Sequence, residues 1–311
     1  MKLLANIGLV VTAFAWGSQI PVLNELFHRW DPYFLAAVRY VLAVPVLLLI
    51  LALIEPSPGM LRSLRSWRLW VLGLALALFV PIYTLGVAHA NPNTAAILGS
   101  TGPVVAAFVA WAGFRMPMER AMAPSIVLAM AGGVLATYDP SRAGSPFDIR
   151  GGEFLILLSS VCWNWYSLAA QRWFSHWSQI RISCLTMLPA GILSLVIYLA
   201  VGAIGAAPFP PPVPTQALDI GLIAWMVVGA VIIGLFGWNY GVRHLGLVVA
   251  SLFLNFVPVF AILITSLLGN PPTVMQLLGG TLVLAGVMQS QLRHLPWWRR
   301  RPGTATDSAT S

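Results

Sequence analysis

Ten stretches of roughly twenty residues, each nearly free of charge, run through this 311-residue chain, at 3–23, 33–54, 67–89, 93–113, 121–138, 151–171, 181–201, 219–241, 246–268 and 273–292. The hydrocarbon core of a bilayer is crossed by a helix of about 20 apolar residues, so each stretch is long enough to span it. The runs are unbroken rather than alternating, which predicts helices and not barrel strands; in lipid only those two structures keep every backbone polar group bonded. Composition agrees, with 59% of residues hydrophobic and 8% charged, against about a quarter charged in soluble domains. The expected fold class is an all-α polytopic membrane protein with ten transmembrane helices.

The net charge of +8 raises nucleic acid or anionic lipid as partners. The basic residues lie in short connections between the runs, which favours lipid and no nucleic acid. With the N-terminus inside, thirteen fall on the inner side: Lys2, Arg62, Arg65, Arg68, Arg115, Arg120, Arg172, Arg181, Arg243, Arg293, Arg299, Arg300 and Arg301. Three fall outside, Arg29, Arg142 and Arg150, while Arg39 lies within the second run. That bias predicts both termini in the cytoplasm of a bacterial-type inner (plasma) membrane. The first run is long and lacks a small-residue cleavage site, so it is expected to remain as a span. Cys162 and Cys184 both fall inside runs, which suits neither a disulfide framework nor a zinc site.

The chain also repeats itself. AFAWGSQ around Trp16 aligns with SVCWNWY around Trp163 at an offset of 147, bringing Phe27 to Phe174 and Trp30 to Trp177. HANPNTAAILGSTGP, from His89, aligns with HLGLVVASLFLNFVP, from His244, at 155, and LAMAGGVLA with TLVLAGVMQ at 153. Five spans per copy is an odd number, so the second copy enters the membrane upside down. Inverted repeats of this kind place a binding site near the midplane between the halves. The expected organisation is a first five-helix repeat at 1–138, a linker at 139–150, a second repeat at 151–292, and a basic, polar cytoplasmic tail at 293–311. The linker segment, YDPSRAGSPFDIRGG, is rich in turn formers.

AWGS at Ala15–Ser18, the pair Arg39-Tyr40 and the Tyr83-Thr-Leu-Gly-Val segment together resemble the EamA-type transporters of the drug/metabolite transporter superfamily. So do Ala95-Ala96 with Pro103, Ala250-Ser251 with Pro258, and the closing QLLGGTLVLAGV. The likeness covers residues 3–292. It implies two inverted five-helix repeats around a central cavity and movement of small metabolites, often amino-acid export as in exporters of the YddG type. One departure stands out. Family members commonly carry a glutamate after the fourth helix of each repeat, where this chain has Phe114-Arg115 and Gly269-Asn270, so no coupling role for that glutamate carries over.

Polar and aromatic residues inside apolar runs mark the candidate site, because an amide or a charge facing lipid costs a few kcal/mol. Trp16 and Trp163 occupy mirrored depths, with Gln19 and Tyr166 three residues on along the same helical faces. Asn164, Ser100, Thr101 and Asn255 extend the polar lining, and Tyr83 comes with the family-like third span. Trp238 and Asn239 fit either a substrate gate or an interfacial belt. Arg39 suits a substrate carboxylate, an ion pair with Glu153, or snorkelling to the outer boundary. Pro103 and Pro258 are expected to break their helices and free backbone carbonyls. Indole and phenol walls suit small amphiphilic solutes, and their faces attract ammonium groups; the competing reading is that they fill volume between helices.

None of the nine carboxylates falls at mid-depth in a run, which favours an uncoupled facilitator or exchanger while Glu153 and Asp219 keep proton coupling open. No catalytic, metal or cofactor motif is present. The expected function is export of a small organic solute, an amino acid first, by alternating access, with membrane lipid as the other partner and a monomer plausible. Efflux of cationic drugs and a lipid-head-group flippase or membrane transferase are the alternatives.

Overall fold

The computed structural model describes residues 2–56, 60–99, 101–116, 123–138, 147–245 and 253–292. Among them helices dominate and no β-strand occurs; Tyr138 and Phe147 form an isolated bridge. Helix α1 (Lys2–Gly17) runs through Ser18 into α2 (Gln19–Leu26). Helix α3 (Pro32–Ile54) starts at an Asp31 cap whose carboxylate accepts from the Tyr33 and Phe34 amides at 2.9 and 3.0 Å. Such a cap satisfies amide groups that have no partner in the first turn. A 3₁₀ turn (Met60–Arg65) leads into α4 (Trp67–Ala88).

Helices α5 (Pro92–Gly99) and α6 (Gly102–Phe114) meet at 48°, and α7 (Ala123–Ala136) follows. Beyond the linker come α8 (Gly152–Trp173), α9 (Gln179–Ala203) and α10 (Ala217–Trp225). Helix α10 continues through a π-helical stretch (Met226–Ile233) into α11 (Gly234–Leu245). Helices α12 (Phe256–Leu267) and α13 (Val274–Leu292) complete the described fold.

These helices are apolar on their outsides as well as between one another. On α3, Ala43, Leu47 and Leu51 are buried while Leu42, Val46, Leu49 and Leu53 are exposed, Leu53 to 73%. An apolar exterior on this scale is that of a multi-pass membrane protein. Among the described residues five rods are long and apolar enough to cross a bilayer: Leu3–Leu26, Pro32–Ile54, Trp67–Ala88, Gln179–Ala203 and Ala217–Trp238. The bent α5–α6 pair makes a sixth. Four of the ten expected spans fall short of that measure among the described residues, which leave out the first part of 246–268. Helix α8 is long enough at 22 residues but carries Trp, Asn, Tyr and Ser in place of aliphatics, while α7 and α12 have 14 and 12 residues.

The helices pair across the linker. Helix α4 packs on α8, α3 on α9, α1 on α11, α7 on α13 and α5 on α12; α6 also meets α8, α1 meets α12, α4 meets α9, and α3 meets the π stretch. Small residues set the closest crossings. A Cβ on Gly132 of α7 would run into the Gly279 backbone of α13, and one on Gly152 of α8 into the Gly86 carbonyl of α4. Membrane helices, with no hydrophobic drive between them, associate through such close backbone contact.

Candidate functional site

Arg39 sits on the inward face of α3, 3% exposed, flanked by the small residues Ala36 and Ala43. Its Nη1 donates to Gln19 Oε1 of α2 at 2.9 Å, and its Nη2 to Thr84 Oγ1 of α4 at 3.4 Å. The Thr84 hydroxyl in turn donates to the Val80 carbonyl at 2.8 Å. The guanidinium lies 6.0 Å from the Tyr40 ring centre and 5.9 Å from that of Tyr83, within cation–π range. Its Nε is buried and meets no acceptor. The ion pairs among the described residues join Arg29 to Glu25 and Asp219, and Arg150 to Asp148, and leave Arg39 out. The pairing of Arg39 with Glu153 is not formed: Glu153 Oε2 instead accepts from the Arg150 and Gly151 amides at the start of α8, at 3.1 and 3.0 Å.

An aromatic wall runs from this arginine across to the second half of the chain. Tyr83 stacks on Phe79, one turn earlier in α4, at 5.7 Å between ring centres. Phe79 meets Trp163 of α8 at 5.2 Å, and Trp163 meets Tyr166 at 5.8 Å. Tyr166 is buried and shares a 3.0 Å hydrogen bond with Thr186 of α9. The spacings Phe79–Tyr83 and Trp163–Tyr166 are those that share a helical face. Tyr83, Trp163 and Gln19 are half-buried. Among the described residues neither the Tyr83 hydroxyl nor the Trp163 indole N–H meets a hydrogen-bond partner, and the Gln19 amide NH₂ meets no acceptor.

Trp16 is built differently. Its indole N–H donates to the Ala230 carbonyl at 2.9 Å, inside the π stretch. Shifted bonding in a π turn leaves carbonyls that a side chain can satisfy. Its ring lies 5.9 Å from that of Trp238, so Trp238 packs inward on Trp16. One turn away, Trp225 Nε1 donates to Ser18 Oγ at 2.8 Å. Trp16 and Trp163 thus sit in separate clusters.

The remaining candidates take local roles. Asn164 Nδ2 bonds the Ser160 carbonyl of its own helix at 2.8 Å and the Gly102 carbonyl at 3.3 Å, tying α8 to the bend between α5 and α6. Thr101 donates to the Leu98 carbonyl at 2.7 Å. Asn255 stands half-buried just before α12. Pro103 and Pro258 lie in the first turns of α6 and α12, where a missing N–H goes unneeded. Ser100 and the side chain of Asn239 lie outside the described residues.

One turn from Arg39, a crevice between α3, α4 and α9 holds about 180 Å³, without room for a water-sized sphere. Its walls include Ala36, Pro81 and Ser194, whose buried Oγ meets no partner. An open depression of about 840 Å³ by the same measure lies beside Trp111, Ala112, Arg115 and Met116 at the end of α6, none of them a candidate residue.

Sequence reasoning singled out Arg39, Tyr83, Trp163 and Tyr166 but passed over Phe79, Thr84, Tyr40 as a ring beneath the guanidinium, and Thr186. Phe79 was within reach, since it sits four residues before Tyr83.

The chain matches the EamA-like transporter family over residues 3–138 and again over 150–290. It is 26% identical over 290 residues to the uncharacterized transporter YyaM of Bacillus subtilis (strain 168), covering 91% of this chain and 92% of the relative. It is also 26% identical over 294 residues to a probable terminal-alkyne amino-acid exporter of Streptantibioticus cattleyicolor, covering 92% and 93%. A crystal structure of a further protein superposes with a TM-score of 0.65 at 18% identity, over 94% of this chain and 98% of the other. At that identity the likeness is one of fold.

Proposed function

The chain belongs to the EamA-like transporter family and is a membrane transporter, and from that premise we propose that it exports amino acids or closely related small metabolites by alternating access. Ten spans form two inverted five-helix repeats, 1–138 and 151–292, and both termini lie on the cytoplasmic face of the plasma membrane. Support comes from the double family match and from the packing. Exchanging the two sets of helices carries the α4–α8 contact onto α11–α1, α6–α8 onto α12–α1, and α4–α9 onto the π stretch with α3. The contacts α3–α9, α5–α12 and α7–α13 map onto themselves. Two halves related in this way can rock about a shared seam.

One observation carries the substrate reading: an aromatic wall crosses that seam, with Phe79 and Tyr83 from the first half facing Trp163 and Tyr166 from the second. Relative motion of the halves would open and close it around a solute. Amino acids are favoured by the name of the Streptantibioticus relative and by the amphiphilic character of the wall. Cationic drugs are disfavoured by a buried arginine at its end.

The test is purified protein in liposomes, with efflux of a panel of radiolabelled amino acids measured with and without a pH gradient. Movement of at least one amino acid is expected. Trp163→Ala removes two ring contacts and should slow that transport roughly tenfold, a change of about 1.4 kcal/mol, with insertion unaltered. Wild-type rates in the variant would return Trp163 to helix packing; no movement of any amino acid would end the substrate reading.

A further inference from the structure

The wall ends in a group of hydrogen-bond donors without acceptors. Arg39 uses two of its five N–H donors, one on Gln19 and one on Thr84. Its Nε is buried with no partner. Tyr83, whose ring stands 5.9 Å from the guanidinium, keeps its hydroxyl unbonded, and Trp163, linked to it through Phe79, keeps its indole N–H. Gln19 turns its oxygen to Arg39, which leaves its NH₂ as a donor. No carboxylate among the described residues bonds to any of these groups.

A buried cation without an anion is costly, and a set of donors without acceptors adds to that cost. Tyr40 and Tyr83 offset part of it through their ring faces. A ligand that brings negative charge and acceptor oxygens together would relieve the remaining imbalance.

We infer that the transported solute carries a single carboxylate, and that Arg39 is the residue that receives it. The guanidinium edge that holds the unpartnered Nε can offer parallel donors to the two oxygens of a carboxylate. The neighbouring Tyr83 and Gln19 side chains carry further donors, a hydroxyl and an NH₂. Any ammonium on the same solute meets aromatic faces at Phe79 and Trp163, with no acid to hold it. Specificity follows from this charge count. A plain monocarboxylate leaves the site neutral, and a zwitterionic amino acid pairs Arg39 while its ammonium rests against ring faces; a dicarboxylate brings a second negative charge with no cation, and an amine or amide leaves Arg39 unpaired. The inference relies on the transporter reading only in treating the bound carboxylate as cargo.

The experiment separates the two. Thermal unfolding of the purified, detergent-solubilised protein is followed with L-phenylalanine, phenylacetate, phenylacetamide, phenethylamine and phenylsuccinate, each at matched ionic strength. Phenylalanine and phenylacetate should raise Tm by at least about 2 °C, and the other three should not. Arg39→Met should abolish the shift, and Arg39→Lys, which keeps the charge but not the fork, should weaken the apparent affinity at least tenfold. Since the probe series is read on the unaltered protein, it decides the matter even where Arg39→Met does not fold. Equal shifts from the amide or amine, no shift from either monocarboxylate, or a full shift in a folded Arg39→Met variant would overturn the inference. Liposome efflux runs alongside. Transport that ignores Arg39 would sink this assignment and spare the transporter reading, whereas Arg39-dependent binding without amino-acid efflux would do the reverse.

Discussion

Two tryptophans at equivalent places in the repeated sequence have different chemical positions in the fold. The indole N–H of Trp16 is bonded to the Ala230 carbonyl, whereas that of Trp163 meets no acceptor among the described residues. Trp16→Phe should therefore lower stability by about 1 kcal/mol, the net worth of an ordinary hydrogen bond, and leave transport by the folded protein within about twofold of wild type. Thermal unfolding and liposome efflux read the two effects separately. Trp163→Phe should do the opposite, keeping Tm and weakening solute affinity, because it preserves the ring contacts and removes only the free donor. This asymmetry was not legible in the sequence, where both tryptophans fall at matching places within apolar runs. Arg39 was legible, because a charge in an apolar run demands an answer. Thr84 was not, because an arginine's partner on another helix depends on how the two are rotated. Asn164 stood out as a misplaced amide, yet its acceptor at Gly102 exists only because α5 and α6 part there.

Contacts between elements seal the two ends of the bundle with different chemistry. At the turn between α2 and α3, Arg29 bonds Asp219 of α10 at 2.8 and 2.9 Å and Glu25 at 3.1 Å, while Trp30 Nε1 donates to Asp219 at 2.7 Å. The matching turn after α8 meets α4 through rings: Trp67 lies 5.7 Å from Trp173, with Arg68 over the latter at 6.0 Å. Asp219→Asn and Arg29→Ala should each lower Tm by a few degrees, and the double variant no further than the worse single one, since both remove the same link. Additive losses would show that the two residues act apart. Close crossings make a second prediction. Gly279→Leu places a branched side chain against Gly132 and Ala136, and overpacking of this kind costs about 1–3 kcal/mol, so the yield of folded protein should fall. The apolar runs foretold most helices within a few residues. They could not foretell the π stretch, because a run of apolar residues reads alike whether its carbonyls bond four or five residues on.

At the scale of the molecule, the parity of the span count decides orientation. Five spans in each proposed half would force the second half to face the opposite way, a reading that places thirteen of the seventeen basic residues on one side. The repeat was visible in sequence only as three short alignments at offsets of 147, 155 and 153. Insertions in the connections shift the register, and lipid-facing positions accept any apolar residue, so the copies drift apart everywhere except where helices touch. Packing supports the proposed relation, since pairs such as α4–α8 and α1–α11 exchange under it. A topology reporter tests the parity directly. A fluorescent protein that matures only in the cytoplasm, fused after residue 311, should glow; fused after a truncation at residue 142, beyond five spans, it should stay dark, and alkaline phosphatase there should be active. Moving charge supplies the causal arm. Replacing Arg62, Arg65 and Arg68 with alanine removes three of the thirteen inner charges and adding three arginines to the 202–216 loop raises the outer count, so the bias that orients the chain shrinks and a mixed population should appear. A cytoplasmic signal from the truncated fusion would mean an even number of spans before the linker. The halves would then insert the same way up, and the seam between them would no longer relate two faces of the membrane.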